Sequence, residues 1–558
     1  MSSLAWRIKR LRAMRPQEVL FRIGQVSRMR QELRRAPSVV AAEAKELLDV
    51  LPAPASTRSI HFFDFEFAYP DVTPDWHTDP KSGMTVAKER WPEIDYRKAD
   101  EIGSAKNIWE LNRHQFLETW ASEKTEDSAL AVVRVILDWI ANNQRPFGIN
   151  WSSSLEPAFR LMSWQRTLEA LGEHDVIDRA RPIIEKSVRE QSDHILRFPS
   201  LFSSANNHRM GELAGVLAGA CISKSSDWCA VLGDFKKEVA LQVTHDGVDR
   251  EQAVFYHDYV LGFIQRVRHY SQLLGMDESA FFDPVIARMS EFSQWMRYAE
   301  NEWFEIGDRD DGIPMNEAVY KKQNGIKYWQ EGGYAIWHEA DVSVCFRAGN
   351  FGYPSIAAHA HCDQLSVQLV LEGMEVLTDS GTFCYHEDAE MRRYFKGTSA
   401  HNTIRVDGLD QAEYGGPFLW STHADGELLQ IQDDIFEGLH FGYNRLGDGT
   451  THGRRVILNP GPLLRIGDLV TTSGNHQYEL FWNLGPGCSV SNLGENRVDI
   501  KVGGRTVRLT FESSLPIEVS KAEGWYSRKF GKKQKIDRID VRAAGSTWSI
   551  TTLVEVLP

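Results

Sequence analysis

At 558 residues, with 42% hydrophobic and 25% charged side chains, the chain is too long for one ordinary core and reads as globular, not disordered or fibrous. Its formal net charge of -14 argues against general nucleic-acid binding, which needs clustered Lys and Arg, and no run approaches the ~18 apolar residues of a membrane span. Six cysteines without a CxxC pair argue against a disulfide scaffold and a thiolate zinc site.

In chain order, the first 35 residues carry ten Lys or Arg against two Glu, without the apolar stretch and cleavage site of an export signal. Residues 1–40 therefore read as a basic helical arm, and the expected compartment is cytoplasmic, with periplasmic as the alternative. Such an arm either packs on its own protein, the simpler reading, or touches anionic lipid. From about Glu43 to Tyr320 apolar residues recur at helical spacing, as in Leu130, Val133, Ile136, Leu137 and Ile140 behind the acidic start Glu126-Asp127-Ser128. Similar stretches run over Leu161 to Leu171, Ile177 to Ile195, Leu213 to Cys221 and Phe255 to Leu274. So many helices in succession predict an incomplete (α/α) toroid over residues 41–326.

After about Lys327 the period becomes two. Val342, Val344 and Phe346 share one face; Leu365, Val367, Leu369 and Leu371 line another strand, and Glu372-Gly373 supplies a hairpin turn. Gly-Asp-Gly at 447–449 punctuates a further pair, and strands continue to Val554. With no helical crossovers, residues 327–558 read as an antiparallel β-sandwich, making the chain a multidomain α+β protein.

Chemistry-bearing residues gather in three places. His359 and His361, two apart in the run leading into a strand, would share a face on an extended backbone; Asp379 and His401 follow. Two imidazoles and a carboxylate suit a borderline divalent ion such as zinc. Ser204 to Glu212 places Asn206, Asn207 and His208 at a helix entrance, where Asn is also an ordinary cap and where polar groups reach anions. Asp246 to Val260 holds Tyr256 and Tyr259, three apart on one helical face, either of which could equally pack in the core. Upstream, Lys106, Trp109 and Arg113, then Trp151, Glu156 and Arg160, suit a cleft for an acidic sugar: rings for pyranose C–H faces, cations for carboxylate or sulfate. Trp109 and Trp151 also suit a core, and Glu156 with Arg160 a helix-surface pair.

In combination these motifs are specific. HAHCDQLSVQLVLEGMEVLTDSGTFCY with YFKGTSAHNTIRVDG, the NNHxxxE at 206–212, and DGVDREQAVFYHDY from Asp246 resemble the heparinase II/III-like polysaccharide lyases, most closely over 200–262 and 353–412. The resemblance implies His359 at the active site, His361, Asp379 and His401 on one structural zinc, and Asn207, His208 and Tyr256 in catalysis with Glu212 supporting. It also implies that Lys106, Trp109, Arg113, Trp151 and Arg160 bind substrate. The implied reaction is β-elimination at a uronic acid of an anionic polysaccharide or oligosaccharide, leaving a 4,5-unsaturated uronate; a homo-oligomer is compatible. Asn207 would stabilise charge growing at the carboxylate, and His208 and Tyr256 would be base and acid, or Tyr256 both, according to stereochemistry. Two rivals stand beside it: a glycoside hydrolase using Asp246 and Glu251, and a non-catalytic carbohydrate-binding protein of exopolysaccharide metabolism.

Overall fold

A computed structural model describes residues 16–225, 228–312, 321, 323–353, 356–432, 434–458 and 463–557. The first fifteen residues of the basic arm lie outside this set. By packing, the chain divides into one unit of residues 1–240 and 262–282 and a second of 241–261 and 283–558.

The first unit is predominantly helical, and its helices begin where local chemistry permits. Glu126–Asn142 starts behind Thr125, whose hydroxyl accepts from Ser128 N at 3.0 Å while Ser128 Oγ accepts from Thr125 N at 3.1 Å, a reciprocal capping box. Leu155–Leu171, Asp175–Arg197 and Asn207–Ser223 cover the periodic stretches and extend them at their N-terminal ends. Leu155–Leu171 and Asn207–Ser223 cross closely because glycines recur every fourth residue at 211, 215 and 219. A Cβ on Gly215 would stand 2.4 Å from Ala158 Cα, and one on Gly211 2.5 Å from Leu155 Cδ1. Backbone cannot give way as a flexible side chain does. Gly215→Ala is therefore expected to force the two helices apart and to cost about 1–3 kcal/mol in urea unfolding; an unchanged midpoint would mean the crossing is looser than it looks.

The region expected to be wholly helical also contains a hairpin. Arg58–Phe62 pairs antiparallel with Phe65–Tyr69, from Arg58↔Tyr69 to Phe62↔Phe65. Arg58, Ile60 and Phe62 are buried and the residues between them exposed, a period of two that outweighs the helical signal around it.

Antiparallel sheets dominate the second unit. Five strands follow one another as a meander: Gly325–Trp329, Tyr334–Glu339, Val342–Arg347, Val367–Leu371 and Met374–Leu377. The last two are joined by Glu372-Gly373, whose φ values of 52° and 76° are those of a tight hairpin turn, as the sequence predicted. Ile404–Val406, His476–Asn483, Lys532–Gly545 and Glu518–Lys529 form a four-stranded sheet. The eight-stranded sheet has Gly426–Gln432 at one edge and Cys488–Leu493 at the other. Side chains from all three sheets meet in one apolar cluster that includes Phe346, Leu369, Leu480, Trp482, Phe436 and Trp548. The other face of the meander is covered by Phe292, Trp295 and Phe304, which pack on Trp329, Tyr334 and Ile336. Both faces being buried explains why Val367–Leu371 is enclosed at every position.

Candidate active site and metal centre

In the first unit, Asn206 caps the helix Asn207–Ser223 by accepting from His208 N at 3.1 Å. Asn207 is buried in the first turn, and His208 beside it is half-buried. Glu212 is fully enclosed and holds the preceding loop: its two oxygens lie 3.1 and 2.9 Å from Ser200 N, with Arg209 Nη1 at 3.6 Å. Burial pushes the Glu212 carboxyl up to about 7 despite those donors. In the native state Glu212 thus holds its proton more tightly than at its ordinary value of 4.5. Its contribution to stability is greatest below that value and is lost as pH rises through about 7. Glu212→Gln, which cannot ionise, is expected to flatten the melting temperature between pH 5 and pH 8; an unaltered slope would point to other groups.

The residues nominated for sugar contact are largely occupied. Arg113 donates to Glu156 at 2.9 and 3.1 Å and to Glu110 at 2.9 Å, and lies over the Phe159 ring. Glu156 therefore serves Arg113, rather than standing in a surface pair with Arg160. Arg160 is enclosed, donates to Gln191 Oε1 and Asn112 O, and sits 3.7 Å from the Trp139 ring centroid. Trp151 is 2% exposed and donates to Asn143 O. Trp151 and Arg160 are thus both enclosed, and an aromatic or a planar cation suits a core as readily as a cleft; spacing does not tell them apart. Lys106 and Trp109 are half-buried, with Trp109 set against Tyr96.

In the second unit His359 and His361 are not on a strand: His359 lies in a turn, His361 in irregular backbone, and the strand begins at Val367. What brings the two histidines together is Asp308. Its Oδ2 meets His359 Nδ1 at 3.0 Å and its Oδ1 meets His361 Nε2 at 2.9 Å, while Arg392 approaches the same oxygens at 2.6 and 2.5 Å. Burial alone would favour a neutral Asp308, but Arg392 and the two imidazoles outweigh it and hold the carboxyl well below the usual range.

Tyr256, in the first turn of Val254–Leu273, stacks on His359 with centroids 3.8 Å apart and planes 20° apart. Its hydroxyl lies 2.9 Å from Tyr385 Oη and 3.5 Å from Asp310 Oδ2. Burial, then the negative charge of Asp310, raises the Tyr256 phenol well above its ordinary value, so it is protonated at neutral pH. Glu251 Oε2 lies 3.5 Å from His359 Nε2. Tyr259 is buried against Tyr256 and Phe255. Asp246 is committed to a turn, accepting from Glu331 N and Gly332 N.

His361, Asp379 and His401 form the one group among the described residues with metal-ligand spacing, their ligand atoms all within 4.8 Å of one another. Asp379 Oδ2 meets His401 Nδ1 at 2.6 Å, and its Oδ1 accepts from Gly381 N. Only glycine suits position 381: φ is +75°, and a Cβ would stand 2.2 Å from Ser527 O. His361 Nδ1 and His401 Nε2 are buried without a hydrogen-bond partner. Two orphaned imidazole nitrogens beside a carboxylate are what a divalent cation would satisfy. Burial also lowers His361 to about 4, leaving its ring neutral as a ligand must be.

Sequence reasoning missed Asp308, Tyr385 and Arg392. Gly-Asp-Arg-Asp-Asp-Gly at 307–312 reads as a solvated acidic turn, and nothing local marks Asp308 and Asp310 as buried.

The comparisons with known proteins cover the same ground. Residues 55–322 match the family described as Heparinase II/III N-terminus, and 321–551 match Heparinase II/III-like, C-terminal. A crystal structure of heparinase III superposes with a TM-score of 0.68 at 15% identity, over 92% of this chain and 89% of that one. A heparan sulfate lyase mutant from Pedobacter heparinus gives 0.60 at 15% identity, over 95% and 88%. At such identity the likeness establishes the fold. No curated protein sequence matches.

Proposed function

The chain belongs to the heparinase II/III family of polysaccharide lyases, and from that premise we propose that it cleaves a uronic-acid-containing polysaccharide or oligosaccharide by β-elimination. The observation that carries the reading is the Tyr256 ring lying on His359, whose Nδ1 is held by Asp308. A hydrogen bond at Nδ1 fixes the ring's orientation and leaves Nε2 for another partner.

In the reaction a base removes the proton at C5 of the uronate, the electron pair forms the C4–C5 double bond, and the C4–O4 bond breaks with a proton delivered to O4. The C5 proton is weakly acidic because the adjacent carboxylate already carries charge, so donors at that carboxylate must stabilise the enolate-like dianion. Asn207 supplies a neutral donor there, with His359 as a helper beside it. A phenol raised well above its ordinary range favours Tyr256 as the acid toward O4, with His208 as the base. Lys106, Trp109 and Arg113 contribute to holding the acidic polymer, and Glu212 keeps the loop before Asn207 in place. An incomplete (α/α) toroid over 41–326 and an antiparallel β-sandwich over 327–558 accompany this assignment.

The metal in the reading is one structural zinc on His361, Asp379 and His401. When bound, it supplies cohesion to the loops carrying those ligands. Purified protein is expected to carry about one equivalent by elemental analysis and to melt lower after chelation, and His401→Ala to lose the metal. Metal-free protein with unchanged melting would remove the ion from the account.

The deciding experiment is a screen of heparan, hyaluronan, chondroitin, alginate and bacterial exopolysaccharides, reading the ultraviolet absorbance of newly formed unsaturated uronates. Cleavage without that chromophore would favour the hydrolase, although Asp246 is already occupied by backbone donors. Binding without cleavage across the panel would favour the carbohydrate-binding protein.

A further inference from the structure

The helix Pro16–Glu32 has two opposed faces of different chemistry. Its inward face holds both acidic residues: Glu18 is 4% exposed and accepts from Ser203 Oγ and Arg22, and Glu32 is 1% exposed and accepts from Arg145 at 3.1 and 3.3 Å. Phe21 packs on Phe202 and Gln25 donates to Pro199 O on the same side. Every feature that fixes the helix to its own protein thus lies on one face. On the other, Leu20 is 70% exposed, Ile23 62% and Val26 49%, and they share that face with Ser27 and Arg30; the exposed Arg34 follows in the turn that ends the helix. At 100° per residue, positions 20, 23, 26, 27 and 30 fall within a third of the helix circumference.

Three large aliphatic side chains beside exposed arginines, with both carboxylates turned inward, form a surface that is apolar and exclusively basic. We propose that this face lies against an anionic membrane surface, the aliphatic side chains entering the headgroup region and Arg30 and Arg34 pairing with lipid phosphates. A dissolved polyanion would pair with the arginines but gain nothing from Leu20, Ile23 and Val26, so a bilayer is the partner whose chemistry uses both halves of the face. The chain ahead of the helix has the same bias: residues 1–15 add five Lys or Arg and no acidic residue. No described helix is long and apolar enough to cross a membrane, so the contact would be one of lying on the surface. The inference is independent of the lyase reading.

The test is co-sedimentation of the full chain with phosphatidylcholine vesicles, with and without phosphatidylglycerol. Binding is expected only to the anionic vesicles and to weaken with added salt. Arg30→Gln and Arg34→Gln are expected to weaken it roughly fivefold each. Leu20→Asp with Ile23→Asp should abolish it while leaving melting temperature and activity on soluble substrate unchanged, since neither side chain is packed in the fold. Equal binding to neutral vesicles, no binding to either, or undiminished binding by the aspartate variant would overturn the proposal. So would concentration-dependent self-association that the aspartate variant loses in the absence of lipid, because the face would then belong to a second copy.

Discussion

Tyr256→Phe is expected to lower kcat by about 10²–10⁴ while leaving the melting temperature nearly unchanged. The substitution removes one hydroxyl from a ring whose packing is otherwise kept: the stack on His359 at 3.8 Å and the contact with Tyr259 need no oxygen. On the proposed mechanism what is lost is the proton delivered to O4, so the deficit belongs in kcat and not in KM. A uronate carrying a good leaving group in place of the sugar at O4 needs less proton donation and should recover much of the lost rate. If Tyr256→Phe retained full activity, or lost it only through KM, Tyr256 would be a wall of the site and the acid would have to be sought elsewhere; Tyr385, 2.9 Å from the same hydroxyl, is next in reach.

Asp308→Ala is expected to be the most disruptive single substitution at the site, destabilising the protein by about 3–5 kcal/mol. Arg392 and Asp308 are both enclosed, and removing the carboxylate strands a guanidinium that cannot reach water. His359 and His361 lose their shared acceptor in the same step. Activity should fall with stability, so a second variant separates the two effects. Asp308→Leu with Arg392→Met replaces the charges by apolar side chains of broadly similar bulk and is expected to regain much of the stability, as buried ion pairs often permit. Activity should stay low, because His359 would have nothing to fix its ring. Urea unfolding with single-turnover cleavage measures both. A double variant that is stable and fully active would mean that Asp308 serves only to neutralise Arg392.

Some parts of this protein were legible because their cause is local. The helix behind the acidic start Glu126-Asp127-Ser128 and the turn at Glu372-Gly373 are decided by neighbouring residues, and the sequence signals them directly. The hairpin at Arg58–Tyr69 was missed although its alternation is plain, because a five-residue strand carries a weak signal inside a long helical context. The way His359 and His361 come together, expected from an extended backbone, was not legible for another reason. Their convergence is set by a carboxylate about fifty residues upstream, and no periodicity reaches that far.

By itself the sequence determined the succession of helices and then strands, the family, and a set of candidate residues for proton transfer and metal binding. All of these rest on short-range periodicity or on motifs read as letters. Only the tertiary structure decided which of those residues share an environment: that Tyr256 lies on His359, that Asp308 joins His359 to His361, that two imidazole nitrogens stand buried without partners, and that Trp151 and Arg160 belong to a core. Burial is the physical reason. The same aspartate is a solvated turn residue on a surface and the counter-charge of an enclosed arginine in a core, and only the packed fold fixes the difference.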